Sequence, residues 1–285
     1  MKKLNLNFYD CVIYLGLIAT SLVGAFYSTI HFDLIRENVY GDSVLLFGRG
    51  IYAYESFFKG PIYVGTDLAI LAIITISFFS YAFTRNESIK NIMHIGFLTI
   101  FLYYSASLAF GTIMNRLFII YLILFGMIFF RLIQKLMSFD YEVIEGVVKN
   151  KIQTKGLIVF LIIMGMSVSV WLIEIVSLIV NNRPSELIGM QSTEPTYIFD
   201  LAIVAPTCFY AAHKLRHKHV VGLVLAMMMM YLLTAIGMIV IAQTLTQSHF
   251  GVVIGLNELI IFVISFSALS IIAFYFLNKT LRLIR

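Results

Sequence analysis

Charge is scarce in this sequence. Only 12% of its 285 residues are charged while 60% are hydrophobic, and the mean hydropathy is +0.94. Soluble domains carry about 25% charged residues, so a chain of this composition is not a soluble globule. Cysteine is also nearly missing. Cys11 and Cys208 are the two present, which excludes a disulfide framework, and no C-x-x-C or His/Cys cluster points to a metal. The sequence lacks H-E-x-x-H, G-x-S-x-G, a P-loop, a nucleotide fingerprint and the clustered aspartates of a magnesium-dependent lipid transferase. The net charge of +5 sits in short loops and is no nucleic-acid footprint. No catalytic residue, metal, cofactor or nucleic-acid partner is expected.

What the sequence has instead is continuous apolar runs of helix length. Only helices or closed barrels satisfy their backbone groups in hydrocarbon. A barrel would show strands of about ten residues alternating apolar and polar. These runs suit helices crossing a core about 30 Å thick, and the fold expected is an all-α, polytopic bundle of about eight helices. The spans read as 9–30, 62–83, 92–112, 114–134, 156–180, 196–213, 220–243 and 253–277. The first is too long for a signal peptide's apolar core and is expected to stay uncleaved. With both termini in the cytoplasm, fifteen lysines and arginines fall inside and five outside, the chain's twenty. That bias follows the positive-inside rule. Residues 31–61 form an outer segment expected to lie on the membrane surface or to fold back over the bundle mouth.

A short repeat organises the chain. Asp67-Leu68-Ala69-Ile70-Leu71-Ala72 matches Asp200-Leu201-Ala202-Ile203-Val204-Ala205, each shortly after a proline, Pro61 and Pro195. Later, Asn115-Arg116-Leu117 and Asn257-Glu258-Leu259 open matching helices. Two parallel four-helix repeats are expected, 1–135 and 156–285, joined by a cytoplasmic linker at 136–155.

Ionisable groups inside hydrocarbon are costly and usually face a bundle interior or a cavity. Here they are Asp67, Glu174, Asp200 and Glu258, with Arg116 at the outer mouth. Counting about 1.5 Å per residue puts them in one polar layer near the outer surface, with Asn115 and Asn257 beside it. A small cationic solute or a proton is the expected occupant. The same groups can instead lock the helices together by pairing with one another, Arg116 with Glu258 first. Of the rest, His94 is expected at the interface, and the basic turn holding His213, His217 and His219 at lipid headgroups. The run Met227 to Met230 is expected against lipid or packing. Gly251 and Gly255 form a G-x-x-x-G pair for close helix contact.

Tyr54-Glu55-Ser56, Asp67-Leu68, Tyr103-Tyr104, Phe110-Gly111, Asn115-Arg116-Leu117-Phe118 and Pro195 through Leu201 resemble an uncharacterised family of bacterial multi-pass membrane proteins. The resemblance covers about residues 48 to 240. It implies a bacterial plasma-membrane protein and no particular chemistry. Three readings follow: a small transporter or permease with an outward-facing acidic site between two repeats; a sensor, immunity factor or complex subunit that transports nothing; and an enzyme acting on a lipid or quinone.

Overall fold

The computed structural model describes residues 7–27, 31–150, 154–181 and 185–284. Lys2, Lys3, Lys151, Arg183 and Arg285, which enter the charge bias, lie outside them. The first half consists of α1 (Phe8–Phe26), α2 (Lys59–Phe83), α3 (Glu87–Gly111) and α4 (Phe118–Met137). A short helix, α5 (Glu142–Asn150), bridges to the second half. There α6 (Thr154–Ser167) and α7 (Trp171–Asn181) form one span, and α8 (Pro195–Phe199) with α9 (Ala205–Arg216) the next. The last two are α10 (Val220–His249), and α11 (Leu256–Glu258) with α12 (Ser265–Ile284). Among the described residues, eight helices are long and apolar enough to cross a bilayer, and the architecture is the all-α bundle expected.

Polar side chains start several of these helices. The Asn86 side chain accepts from the Ser88 and Ile89 amides at the start of α3, and Glu194 caps α8 through Thr196. Such caps satisfy amides that have no partner in the first turn.

The bundle is built around α10, which packs against α2, α3, α9 and α12. Met227 to Met230 point all round this helix and are all buried, because helices surround it on every side. In lipid there is little hydrophobic force between helices, so close approach over small residues matters. At Gly65 an added Cβ would sit 2.6 Å from the Gln243 Cα, so α2 meets the α10 backbone there only because the residue is glycine. Gly251 makes no such contact. It sits in a turn at φ 85°, before the last span begins. The outward faces of α4 and α12 carry the exposed aliphatic and aromatic side chains that suit lipid.

Residues 31–58 fold back over one end of the bundle, hereafter the hairpin end. β1 (Ile35–Glu37) and β2 (Ser43–Leu45) pair antiparallel, Arg36 opposite Val44. The turn between them closes on the Asn38 Oδ1, which accepts from the Tyr40 and Asp42 amides at 2.9 Å each. Gly48 adopts φ 69°, where an added Cβ would lie 1.8 Å from the Phe32 carbonyl oxygen. Just before it, Phe47 is buried edge-on against Phe250, with centroids 5.0 Å apart.

α3 begins at Glu87 and is deeply enclosed, so His94, two turns in, is packed within the bundle. Lys59, expected in the outer segment, instead opens α2. Arg131 lies within α4, and both are buried against acidic partners.

Candidate functional site: a cavity between the two halves

A cavity of about 300 Å³ opens between α2 and α3 on one side and the spans of the second half on the other. Its volume is at the lower end of the range for ligand sites. The walls are mostly apolar, with Ile62, Leu108, Ile236, Ile239 and Val263 among them. Polar groups in the walls include the Thr66–Gln243 pair, bonded at 2.8 Å, the Tyr103–Asp200–Trp171 group, Tyr104, and Lys59 with Glu194.

Asp200 stands where its helix loses α-regularity. Pro206, six residues on, has no N–H to give the Ala202 carbonyl, and its ring would collide with that oxygen. The chain accommodates this with a π turn over Asp200–Val204, in which the Ala205 amide reaches back to the Asp200 carbonyl. Such turns are rare and recur at functional sites. The buried Asp200 carboxylate accepts from the Tyr103 hydroxyl at 3.0 Å on Oδ1 and from the Trp171 indole at 2.8 Å on Oδ2. No cation among the described residues pairs with it.

Two more cavity walls are irregular at the same place. A 3₁₀ turn over Val168–Val170 separates α6 from α7 and immediately precedes Trp171. A second π turn over Leu259–Ile264 carries Phe262 and Val263, and there the Ser265 hydroxyl donates to the Ile260 carbonyl five residues back. Trp171 stacks on Phe262 with centroids 5.3 Å apart and lies 5.1 Å from Tyr197. Non-regular backbone at membrane depth is tolerated where it is buried in protein or lines a cavity.

The hairpin end of the cavity is closed by a polar network. Lys59 binds Glu194 and Gln191 together. The Gln191 amide also reaches the Gly111 carbonyl, the Tyr63 hydroxyl at 2.9 Å and the Glu55 Oε2 at 3.3 Å. The Ile113 amide donates to the Glu55 Oε1 at 2.6 Å. Farther out, the Asn38 amide reaches the Gly189 carbonyl at 3.0 Å and the Tyr40 hydroxyl the Ser192 carbonyl at 2.8 Å. The hairpin segment of one half is thereby tied to residues 189–194 of the other. Burial pushes the Glu55 carboxyl up to about 7, outweighing the nearby Lys59 charge and the bonds from Ile113 and Gln191. Asp200 and Glu194 against Lys59 leave the ionisable lining net negative, which favours a cation over an anion.

Asp67 is fully buried on α2 beside Gly24 of α1 and does not line the cavity. Its Oδ1 accepts from the Tyr104 hydroxyl at 2.5 Å and its Oδ2 from the Tyr52 hydroxyl at 2.7 Å. Adjacent tyrosines of α3 thus serve the two aspartates separately, Tyr103 for Asp200 and Tyr104 for Asp67. Glu174 is half-buried one turn beyond Trp171, with no hydrogen bond or ion pair to a described residue. Asp67 and Asp200 are thus held at the same level of α3 but by separate partners, and Glu174 bonds to neither among the described residues. Arg116 is exposed in the α3–α4 connection, and its expected pairing with Glu258 falls on a side chain outside those described. Asn115 holds the turn into α4 by accepting from the Leu117 amide at 2.9 Å, and Asn257 is exposed.

Charge-only reading of the sequence misses Glu55, Lys59, Gln191 and Glu194, and with them Trp171. The Glu194-Pro195 pair was the available signal, a helix start with its cap beside an aspartate-bearing span. At the end away from the hairpin, Arg131 forks onto Asp10 through Nε at 2.7 Å and Nη2 at 2.6 Å, and its Nη1 donates to Gln134. His94 Nε2 lies 3.3 Å from the Asp10 Oδ1 without the direction of a hydrogen bond. No known protein family, characterised relative or solved structure matches the chain.

Proposed function

We propose that this chain is a small transporter of cationic, partly apolar solutes, with Asp200 as the charge that receives them. It works in a bacterial plasma membrane with both termini in the cytoplasm and the hairpin segment outside, and its halves descend from one four-helix unit. One observation carries the reading: an unpaired buried carboxylate borders a cavity at the point where three spans lose helical regularity. Interrupted helices around a site between two halves are a recurrent transporter design. An ammonium group placed at Asp200 would take up the lone pairs that Tyr103 and Trp171 leave free, with its apolar part against the isoleucine walls. The arrangement of the halves is in keeping with a duplication. α1 packs on α2 and α3 on α4, as α6 packs on α9 and α10 on α12.

The test is thermal unfolding of the protein in lipid nanodiscs with hexylammonium and with its neutral counterpart, hexanol. The amine is expected to stabilise the wild type and the alcohol not. Asp200→Asn should weaken amine binding by roughly tenfold or more, a loss of at least about 1.4 kcal/mol, and Glu174→Gln should bind as the wild type does. Equal stabilisation of wild type and Asp200→Asn by the amine would remove Asp200 from the site.

A further inference from the structure

Three buried aspartates meet the cost of a charge in hydrocarbon in three ways. Asp10 is neutralised by the Arg131 fork. Asp200 borders a cavity that a cation can enter. Asp67 has neither recourse. It is fully buried, its partners are two neutral phenols, and no charged side chain among the described residues contacts it. An isolated carboxylate in such surroundings is so unfavourable that the group takes up a proton instead.

We propose that Asp67 is a proton-binding site, sealed within the first half and joined to the cavity through the Tyr104 hydroxyl, so that its protonation is linked to occupancy of the cavity. The linkage rests on the cavity being a ligand site; the proton site does not.

The surroundings of Asp67 suit both charge states. Tyr104 Oη lies 2.5 Å from the Asp67 Oδ1 and 3.0 Å from the Ser21 hydroxyl, and either hydroxyl of that second pair can donate. When Asp67 is ionised, Tyr104 donates to it and accepts from Ser21. When Asp67 is protonated, its O–H donates to Tyr104, which turns its own proton to Ser21. No bond is lost in either state, as an exchanging proton site requires. Closure toward α1 comes from Gly24, where an added Cβ would lie 1.8 Å from the Asp67 Oδ2. The titratable neighbours are Tyr52 from the hairpin segment, Tyr104 from α3 and Tyr121 from α4. α10 brings Gln243 and Thr246 to the Gly65 face of α2, neither of them titratable.

The exit is Tyr104, which forms part of the cavity wall as well as holding Asp67. Release to the cavity breaks the Asp67 O–H bond and forms one on the Tyr104 oxygen. For this the phenolic proton turns from Ser21 to a water molecule in the cavity and passes to it in the same step, so the tyrosine ends with one proton, as it began. A cation seated at Asp200, served by the neighbouring Tyr103, disfavours a second positive charge nearby and so favours that release.

Infrared spectroscopy of the protein in nanodiscs tests this through the carbonyl stretch of protonated carboxyl groups. At a pH well above the Glu55 value of about 7, the wild type is expected to show a carboxylic-acid band that Asp67→Asn lacks and Asp200→Asn retains. Asparagine offers a carbonyl to accept from Tyr52 and an N–H to donate to Tyr104, as the protonated acid does, so this variant is expected to keep the fold. Hexylammonium should diminish the band in the wild type and leave it unchanged in Asp200→Asn. Tyr104→Phe should keep the band and abolish its response to the amine. A band unaltered in Asp67→Asn would mean that Asp67 is ionised, and the proton site would be lost. A band that ignores the amine while thermal unfolding still reports amine binding would overturn the linkage. Should the amine not bind the wild type at all, the transporter reading and the linkage fail, and the Asp67→Asn comparison alone decides the proton site.

Discussion

Arg131 shows how a charged residue in an apolar helix is made tolerable. Its guanidinium is planar and forked, and Asp10 presents two oxygens to two of its nitrogens at 2.7 and 2.6 Å. Such a pair contributes little over an apolar one, but removing one member strands the other. Arg131→Ala should therefore destabilise the protein by on the order of 3 kcal/mol, read as denaturant unfolding in detergent micelles. Asp10→Leu combined with Arg131→Leu should recover most of that loss. Additive effects of the two leucines would contradict the account of the pair. At this scale the sequence was partly legible. Asp67 and Asp200 stand out because a carboxylate in an apolar run is costly, and the shared D-L-A-I run ties them together. Lys59 was misplaced because a basic residue near the end of an apolar run reads as a loop charge, and nothing in the sequence signals the burial of Arg131. Only three-dimensional contact reveals that each is held by an acid from elsewhere in the chain.

Among the elements, the existence of all eight helices was legible and their ends to within about seven residues, since twenty apolar residues in lipid have little else to form. Their interruptions were not. The run 156–180 gives no warning that α6 ends at Ser167 and a 3₁₀ turn precedes Trp171, because continuous apolarity hides periodicity. Pro206 was the visible sign for the π turn. Pro206→Ala restores the missing N–H and is expected to let residues 200–204 return to α geometry. That removes the extra residue from the turn and re-aims Asp200. Stability should hold or rise while amine binding falls, and unchanged binding would mean that the turn does not position the carboxylate. The hairpin segment makes a pH prediction through Glu55. Its folded pKa of about 7 lies above the ordinary 4.5, so between those values the folded state holds a proton that the unfolded state has released. Stability then falls as pH rises from about 4.5 to about 7, and the contribution is fully present below the lower value. The melting temperature of the wild type should decline across that window relative to Glu55→Gln. Parallel pH profiles would show that Glu55 is not held as described.

The whole molecule is organised around α10, and no composition or hydropathy pattern announces which of eight apolar helices is central. The clue was local. Four consecutive methionines cover every side of a helix, and side chains this adaptable suit a helix packed on all sides. The cavity follows from that arrangement: regular α2 and α3 form one wall, and unbroken α10 with the three interrupted spans of the second half forms the other. A carrier needs one part able to move against a fixed part, and on the transporter reading the interrupted spans are the part that moves. The direct test of the transporter reading is uptake of radiolabelled hexylammonium into proteoliposomes. Wild-type protein is expected to carry the amine across faster than protein-free vesicles do, with Asp200→Asn reduced to the protein-free rate. Amine binding that persists in nanodiscs, with uptake by the wild type no faster than leakage, would contradict the account and leave a receptor in place of a carrier.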